Sequence, residues 1–306
     1  MISSRPRVSV IIPAYYSYET VETCLGAIRA QTFRDLEVIL INSSPEEITD
    51  KIVTTRFPEV IFRQSPKRLL PHAARNYGVN IARGEILVFT DPDCKARSDW
   101  LARLVEAHDA GHSVVGGSMG LGTRHWIERG VHLSKFSWLL SGLPSGPRQV
   151  IPTANASYLR RVWDIVGPFE GNLFSGDTLL SWRAFSKGFI PWFEPRAVVE
   201  HRHAGNLCFY WHEFFERGKE FAGVRVKFEH WSRWRVAAYL ILLPALLLLV
   251  LMRAGRDAFR SGWGLNFVLT LPVQMIFKLA WSLGEARTHF RLVIQKPKLK
   301  SCRRDS

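Results

Sequence analysis

Short apolar runs alternate with longer amphipathic stretches through the first third of the chain. Four runs have the length of buried strands and end at a polar residue or a proline: residues 8–12, 36–41, 60–62 and 85–89. Three stretches between them carry apolar residues at helical spacing: residues 18–31, 46–57 and 71–82. This alternation predicts an α/β domain with a mainly parallel sheet flanked by helices.

A different pattern occupies the last quarter of the chain. Residues 236–252 contain no charged side chain, and as a helix they would extend about 26 Å, close to a hydrocarbon thickness of about 30 Å. This stretch is apolar on every helical face, which argues against a buried soluble helix. A second apolar stretch, residues 265–283, is interrupted by Pro272, Gln274 and Lys278, and for it a buried helix stays an open alternative. We therefore expect two transmembrane or re-entrant helices within residues 236–284.

Basic residues flank both apolar stretches. The chain has a formal net charge of +14; six Lys and Arg residues lie from Arg217 to Arg235 and seven from Arg287 to Arg304. Such an excess favours nucleic acid or an anionic membrane as partner, and its position beside apolar helices favours the membrane. We expect an amphipathic interfacial helix over residues 205–235, a basic cytoplasmic tail over residues 285–306, and no nucleic-acid partner.

The segment between the two apolar stretches is also basic, with Arg253, Arg256 and Arg260. A hairpin of two membrane spans would place these arginines on the side that the positive-inside rule disfavours. A shallow, re-entrant or interfacial pair of helices avoids the conflict. Both arrangements stay open at this point.

The composition is that of a globular protein, with 47% hydrophobic and 22% charged residues. The four cysteines have neither paired nor metal-ligand spacing, which favours a reducing compartment and argues against zinc. The chain enters its first strand at residue 8, so no signal peptide is expected.

Two carboxylates, Asp91 and Asp93, follow the fourth apolar run and stand on either side of Pro92. Pro92 cannot donate to a strand ladder, so the chain turns there. In open α/β sheets, ligands bind at the carboxyl ends of strands, where carboxylate oxygens suit Mg²⁺ or Mn²⁺. The tripeptide alone is also typical of an ordinary turn, and the sequence around it decides between the two.

Several short motifs surround that turn in a fixed order. They are residues 8–14 (VSVIIPA), 30–33 (AQTF), 74–78 (ARNYG), 84–85 (GE) leading into 91–93 (DPD), 167–170 (GPFE), and 176–177 (GD) with Arg183 and Gly188. In this order and spacing they resemble the family 2 glycosyltransferases of the GT-A fold, over roughly residues 8–203. The resemblance implies a GT-A nucleotide-sugar-binding catalytic domain over residues 1–204, followed by the C-terminal hydrophobic helices.

In that family the acidic motif after the fourth strand binds a divalent metal and the donor. The resemblance implies Asp93 as a ligand of Mn²⁺ or Mg²⁺ and Asp91 as a contact of the ribose or the donor sugar. It also implies His201, at the end of an apolar strand, as a metal ligand or donor contact. On chemistry alone a histidine at a strand end is as often structural.

Further donor contacts are implied at two strand ends and on the third helix. Pro13 and Ala14 lie where the nucleotide base would sit. Asn42 stands where the family usually has Asp, and it either contacts the base or ribose without a charge or caps the next helix. The guanidinium of Arg75 suits a diphosphate, with a surface ion pair as the alternative. His72, one turn earlier, is interpreted as a helix-surface histidine.

Asp177 is the implied general base. Inverting sugar transfer needs a carboxylate that takes the proton of the acceptor hydroxyl as it attacks the anomeric carbon. The family commonly has an acidic pair here, and Gly176 replaces its first member. Asp177 is also a candidate N-cap of a helix over residues 178–186, and the two roles are compatible.

Together these features predict an inverting, metal-dependent glycosyltransferase that moves a sugar from a nucleotide-sugar donor, a UDP-sugar being expected, to a lipid-linked or cell-envelope glycan acceptor. The expected location is the inner membrane, with the catalytic domain in the cytoplasm. Processive synthesis is not expected, because residues 216–218 (ERG) replace the Gln-x-x-Arg-Trp pattern of processive relatives.

One alternative remains from the sequence, and a second is disfavoured. A degenerate domain that binds a nucleotide sugar or serves as a scaffold is compatible with the departures at Asn42 and Gly176. A nucleotidyltransferase would need a glycine-rich phosphate loop after the first strand, and residues 13–16 (PAYY) do not supply one. Residues 119–150 look like a mobile or membrane-facing insert without an assigned role.

Overall fold

A single mixed sheet of nine strands organises the first two thirds of the chain in the computed structural model. The structure describes residues 5–122, 125–203 and 205–294. Residues 295–306, which make up part of the predicted basic tail and include Cys302, lie outside the described residues.

The first half of the sheet is parallel and matches the predicted alternation of strands and helices. Its strands are β1 (Val8–Ala14), β2 (Leu36–Asn42), β3 (Ile61–Gln64) and β4 (Ile86–Thr90). Its helices are α1 (Val21–Arg29), α2 (Ile48–Arg56) and α3 (Pro71–Ile81). The strands lie in the order β3-β2-β1-β4. All seven residues of β1 are buried, as expected for a strand covered on both faces.

The second half of the sheet is largely antiparallel, which the sequence pattern did not predict. It contains β5 (Cys94–Ala96), α4 (Trp100–Asp109), β6 (Val114–Leu121), α5 (Trp126–Phe136), a 3₁₀ turn (Ser137–Leu139), β7 (Gly146–Pro147), β8 (Asn155–Leu159), α6 (Arg160–Val166), α7 (Gly176–Ser186) and β9 (Trp192–His201). The order continues from β4 as β8-β6-β9-β5, with β7 also on β9. Because β5 pairs with β9, Cys94 stands opposite His201, directly after the Asp-Pro-Asp turn.

Four helices follow the sheet: α8 (Leu207–Phe228), α9 (Arg233–Arg260), α10 (Gly264–Leu269) and α11 (Leu271–Ile294). Helix α11 packs closely on α8, where the backbone of Trp281 approaches Gly218 and that of Phe215 approaches Gly284. Within the described ranges, α9 is the one helix that is long and apolar enough to cross a membrane. Its outer face is bare: Ile241 is 78% exposed and Met252 is 65% exposed.

The second predicted membrane helix is divided in the structure. The helix is interrupted at Thr270, where α10 ends and α11 begins. Gln274 is buried, and its side-chain amide donates to the Phe267 carbonyl at 3.0 Å. The C-terminal end of α9 lies against the catalytic domain, because Ala254 and Ala258 of this helix join the domain's main core. The side-chain N–H groups of Gln274 therefore have protein partners within this stretch.

Close packing of α3 on the sheet gives a test of this arrangement. A Cβ at Gly78 would lie 2.5 Å from Cγ2 of Ile11 on β1. We expect Gly78→Ala to lower the free energy of unfolding by about 1–3 kcal/mol, as overpacked cores do. Gly26 on α1 has open space at its Cβ position, so Gly26→Ala should raise stability by about 0.5–1 kcal/mol. Chemical denaturation in detergent measures both; equal effects would contradict the packing of α3.

Candidate active site

A cleft of about 1060 Å³ opens at the carboxyl ends of β1 and β4. Seven of the eight predicted site residues line it: Pro13, Ala14, Arg75, Asp91, Asp93, Asp177 and His201. They come from β1, α3, the turn after β4, α7 and β9. Residues distant in the sequence thus share one cavity, as ligand sites at the ends of α/β strands do.

Asn42 is the predicted site residue that the structure does not bring to the cleft wall. Its side chain is buried at the end of β2, where its amide donates to Gln64 at 2.9 Å and its carbonyl oxygen accepts from the Ser44 hydroxyl at 2.7 Å. The next residue, Ser43, lines the cleft instead. The amide of Asn42 is therefore occupied by neighbours on its own side of the sheet.

Arg75 and Asp91 form a buried ion pair at the floor of the cleft. The guanidinium is almost inaccessible, whereas the carboxylate is partly exposed. Nη1 of Arg75 also lies 3.3 Å from Nδ1 of His72, one turn earlier on α3. The guanidinium of Arg75 therefore holds the Asp91 carboxylate in place, while the exposed part of this carboxylate faces the cavity.

His72 is buried, so its interpretation as a surface histidine was wrong. Its Nε2 donates to the Phe174 carbonyl at 3.1 Å, which leaves Nδ1 to accept from Arg75. Burial, together with the charge of Arg75, lowers the pKa of His72 to about 4, so the ring is neutral at pH 7. The ring connects α3 to the loop that leads into α7.

The same ring explains the missing acid at residue 176. A Cβ at Gly176 would lie 2.6 Å from Cδ2 of His72, so a side chain there would force a neighbouring group to shift. The close contact with His72 thus gives a steric reason for a glycine at this position. No local sequence signal marks this contact, because the two residues lie far apart along the chain.

Asp177 lies in the first turn of α7 and lines the cleft. The N-cap position belongs to Ser175, whose backbone N–H donates to Glu220 of α8 at 2.6 Å. One carboxylate oxygen of Asp177 accepts from the backbone N–H of Thr178 at 2.7 Å. The start of α7 is therefore positioned by α8.

Asp93, Cys94 and His201 form the group most suited to a metal ion. Their ligand atoms all lie within 4.8 Å of one another, and Oδ2 of Asp93 is 3.7 Å from Nε2 of His201. Burial raises the pKa of the Cys94 thiol well above its usual range, so the thiol is protonated and a poor ligand. Carboxylate oxygen and imidazole nitrogen suit Mn²⁺, so Asp93 and His201 fit a divalent cation.

Two further histidines support His201 from behind. His203 stacks on His201 with ring centroids 4.6 Å apart, and its Nε2 lies 3.2 Å from Nδ1 of His132. His132 in turn contacts the Met119 carbonyl at 3.1 Å. Burial lowers the pKa of His132 to about 3. Sequence reasoning missed His132, since nothing in residues 119–150 marks it.

That segment also supplies Lys135 to the cleft. Its ammonium contacts both oxygens of Glu213 on α8, at 3.0 and 2.9 Å. Burial raises the pKa of Asp93, and the charges of His201 and Lys135 oppose that rise. The segment is thus part of the cleft wall.

A model of the family described as Glycosyl transferase family 2 matches residues 9–164, just over half of the chain. The chain belongs to this family. Glycosyltransferase AglE of Haloferax volcanii is 30% identical over 196 residues, which cover 62% of this chain and 64% of that protein. The GalNAc(5)-diNAcBac-PP-undecaprenol beta-1,3-glucosyltransferase of Campylobacter jejuni is 26% identical, over 37% of this chain and 38% of that one. These matches cover less than two thirds of either relative.

Solved structures support the fold of this family 2 glycosyltransferase. The mannosyltransferase PcManGT from Pyrobaculum calidifontis, in complex with GDP-Man and Mn²⁺, aligns with a TM-score of 0.53 at 19% identity and covers 88% of this chain and 87% of its own. GalNAc-T7 with UDP, GalNAc and Mn²⁺ aligns with a TM-score of 0.53 at 16% identity, over 66% of this chain and 44% of its own. The predicted GT-A fold is confirmed.

The contact between Gly176 and His72 can be tested by a double-mutant cycle. We expect Gly176→Ala to cost about 1–3 kcal/mol of unfolding free energy through overpacking. The cost should fall in a His72→Ala background, because neighbouring substitutions couple. Gly223→Ala, whose Cβ would make an ordinary contact with Thr288 at 3.9 Å, is the control. An equal cost of Gly176→Ala in both backgrounds would exclude the steric explanation.

Proposed function

We propose that this glycosyltransferase is membrane-attached, metal-dependent and inverting, and that it moves a sugar from a UDP-sugar to a hydroxyl of a lipid-linked or cell-envelope glycan. The observation that carries the proposal is that Asp91, Asp93 and Asp177 line one cleft at the strand ends of a family 2 domain. The Campylobacter relative, whose name specifies a diphosphate-undecaprenol-linked acceptor, supports an acceptor of this kind.

Asp177 is the proposed base. Its carboxylate takes the proton of the acceptor hydroxyl while the hydroxyl oxygen bonds to the anomeric carbon of the donor. The bond from that carbon to the diphosphate oxygen breaks at the same time, and the nucleoside diphosphate leaves with the electron pair. A single displacement of this kind inverts the anomeric configuration, and the position of Asp177 in the first turn of α7 keeps it on the cleft wall.

Asp93 and His201 would hold the divalent cation, Mn²⁺ or Mg²⁺. When bound, such an ion neutralises the negative charge that develops on the departing diphosphate. Arg75 fixes Asp91 for contact with the ribose or donor sugar. Pro13 and Ala14 would form the wall against the nucleotide base of the donor. Ser43 lines the cleft at the position that was expected of Asn42.

We place the catalytic domain, residues 1–204, on the cytoplasmic face of the inner membrane. The apolar side chains on the outer face of α9 are unfavourably exposed to water, and contact with lipid would bury them. Because the C-terminal end of α9 rests on the catalytic domain, the basic residues at both ends of α9 lie on the same side if the helix is interfacial or re-entrant. This arrangement satisfies the positive-inside rule and is the one we favour.

A catalytically degenerate, sugar-nucleotide-binding scaffold is the second candidate. It rested on the departures at Asn42 and Gly176, and the close contact between Gly176 and His72 offers a steric reason for the second. Binding of nucleotide sugar with metal but without turnover would favour it.

Metal dependence is tested by donor binding. We expect UDP-sugars with Mn²⁺ to raise the melting temperature in a thermal-shift screen, and EDTA to abolish the shift. Asp93→Asn should weaken this metal-dependent binding, because it removes a charged ligand. Asp164→Asn, an exposed carboxylate on α6, is the matched control. Wild-type binding by Asp93→Asn would remove Asp93 from the metal site.

The base is tested by turnover. We expect Asp177→Asn to lower kcat by about 10²–10⁴, the usual contribution of a general base, while donor binding is kept. The anomeric configuration of the product, read by NMR, should be opposite to that of the donor. Full activity of the variant, or retained configuration, would defeat the assignment.

A further inference from the structure

The cleft continues beyond the donor site between α8, α9 and α11. We call this part the apolar extension; its walls are Leu243, Leu246, Leu247 and Val250 of α9, Phe221 of α8 and Trp281 of α11. Helix α9 runs back along α11 toward the catalytic domain, since Tyr239 lies 3.4 Å from Glu285 while Ala258 packs in the domain core. The apolar extension therefore leads away from the donor site into the helices that we place at the membrane.

A cluster of cations stands where the donor site and the apolar extension meet. Lys278 of α11 donates to the carbonyl of Ser134 at 2.7 Å, next to Lys135. Lys135 and Arg217 both pair with Glu213, at 2.9 Å each. Across the described ranges, Lys278 makes no ion pair. Two of the three cations thus share one carboxylate and Lys278 adds a third positive charge, so the cluster has an excess of positive charge.

One hydroxyl at the same place has no partner. Ser134 lines the cleft, and its Oγ is buried without a hydrogen bond to any part of the protein that the structure describes. Buried hydroxyls rarely stay unpaired, so a ligand oxygen is the fitting partner. The far end of the cleft differs, because there Arg225 is neutralised by Glu285 at 3.0 Å.

We propose that Lys278, Lys135 and Ser134 bind the phosphate of an isoprenoid-phosphate carrier whose hydrocarbon chain occupies the apolar extension. The proposal rests on the proposed function, because it places the carrier of the acceptor beside Asp93 and Asp177. An anionic head joined to a long apolar tail matches both the charge excess and the apolar walls. Lys278, Lys135 and Ser134 line the same cleft as Asp93. The phosphate would therefore lie next to the donor.

The charge cluster is tested with the full chain in detergent micelles. The probes are undecaprenyl phosphate, undecaprenol, phosphatidylglycerol, and UDP with Mn²⁺, each titrated by microscale thermophoresis. We expect wild type to prefer undecaprenyl phosphate to undecaprenol and phosphatidylglycerol. Lys278→Met should weaken that binding by about tenfold to a hundredfold, the usual effect of losing one charged hydrogen bond. Ser134→Ala should weaken it by a smaller factor.

Lys187→Met is the matched control. Lys187 also donates to a backbone carbonyl, that of Ile165 at 2.8 Å, but lies outside the cleft lining. The Lys187→Met variant should bind undecaprenyl phosphate as tightly as wild type does. An equal loss of UDP binding in Lys278→Met would assign the cluster to the donor diphosphate, and equal affinity for phosphatidylglycerol would assign it to membrane lipid. Either result overturns the proposal.

The apolar extension is tested separately by filling it. Leu247→Trp should weaken binding of undecaprenyl phosphate more than that of farnesyl phosphate, because the longer chain needs the occupied space. Leu242→Trp, on the outer face of α9, should change neither. Equal effects of the two tryptophans would refute the placement of the chain. If Asp93→Asn lost UDP binding but still bound undecaprenyl phosphate, the carrier proposal would stand. If Lys278→Met bound undecaprenyl phosphate as tightly as wild type does, the carrier proposal would fail while the proposed function remained.

Discussion

The buried guanidinium of Arg75 is the constraint on which the site depends. A buried cation needs an anionic partner, and here that partner is Asp91, the first carboxylate after β4. The same guanidinium points a second N–H at His72, which is tied to the Phe174 carbonyl just before α7. One cation therefore fixes the acidic turn and, through His72, the loop that presents Asp177. The neutral state of His72 suits this, because a second buried positive charge beside Arg75 would be repelled.

The C-terminal helices take part in the candidate site as well as in the proposed membrane attachment. Glu220 of α8 accepts from the backbone N–H that starts α7, and Glu213 of α8 holds Lys135 on the cleft wall. Lys278 of α11 reaches the backbone of Ser134. A shift of α8 against the sheet would move the proposed base and the cation cluster together. The packing of these helices on the catalytic domain thus sets the geometry of the cleft.

The sequence predicted the parts of the protein whose signals are local. Residues in β1 and β4 are apolar because both sheet faces are covered, so their strands and the acidic turn after β4 could be read directly. Strand β6 was not predicted, since its glycines have low strand propensity and lie at a register shift between Gly117 and Ser118. His72, His132 and Lys135 were missed because their partners are distant in the chain. No spacing rule reports that His72 fills the space at Gly176.

The charge of the lining residues explains why an anionic ligand would need a divalent cation at one end of the cleft and not at the other. At the donor end, Asp91, Asp93 and Asp177 outnumber Arg68 and Arg75 among the lining residues. A nucleoside diphosphate is itself anionic, so it would be repelled there unless a divalent cation accompanied it. At the other end, Lys278 and Lys135 already supply excess positive charge beside apolar walls. An anionic lipid would need no metal at that position. On this argument the metal serves the donor alone, and binding of the carrier is independent of it.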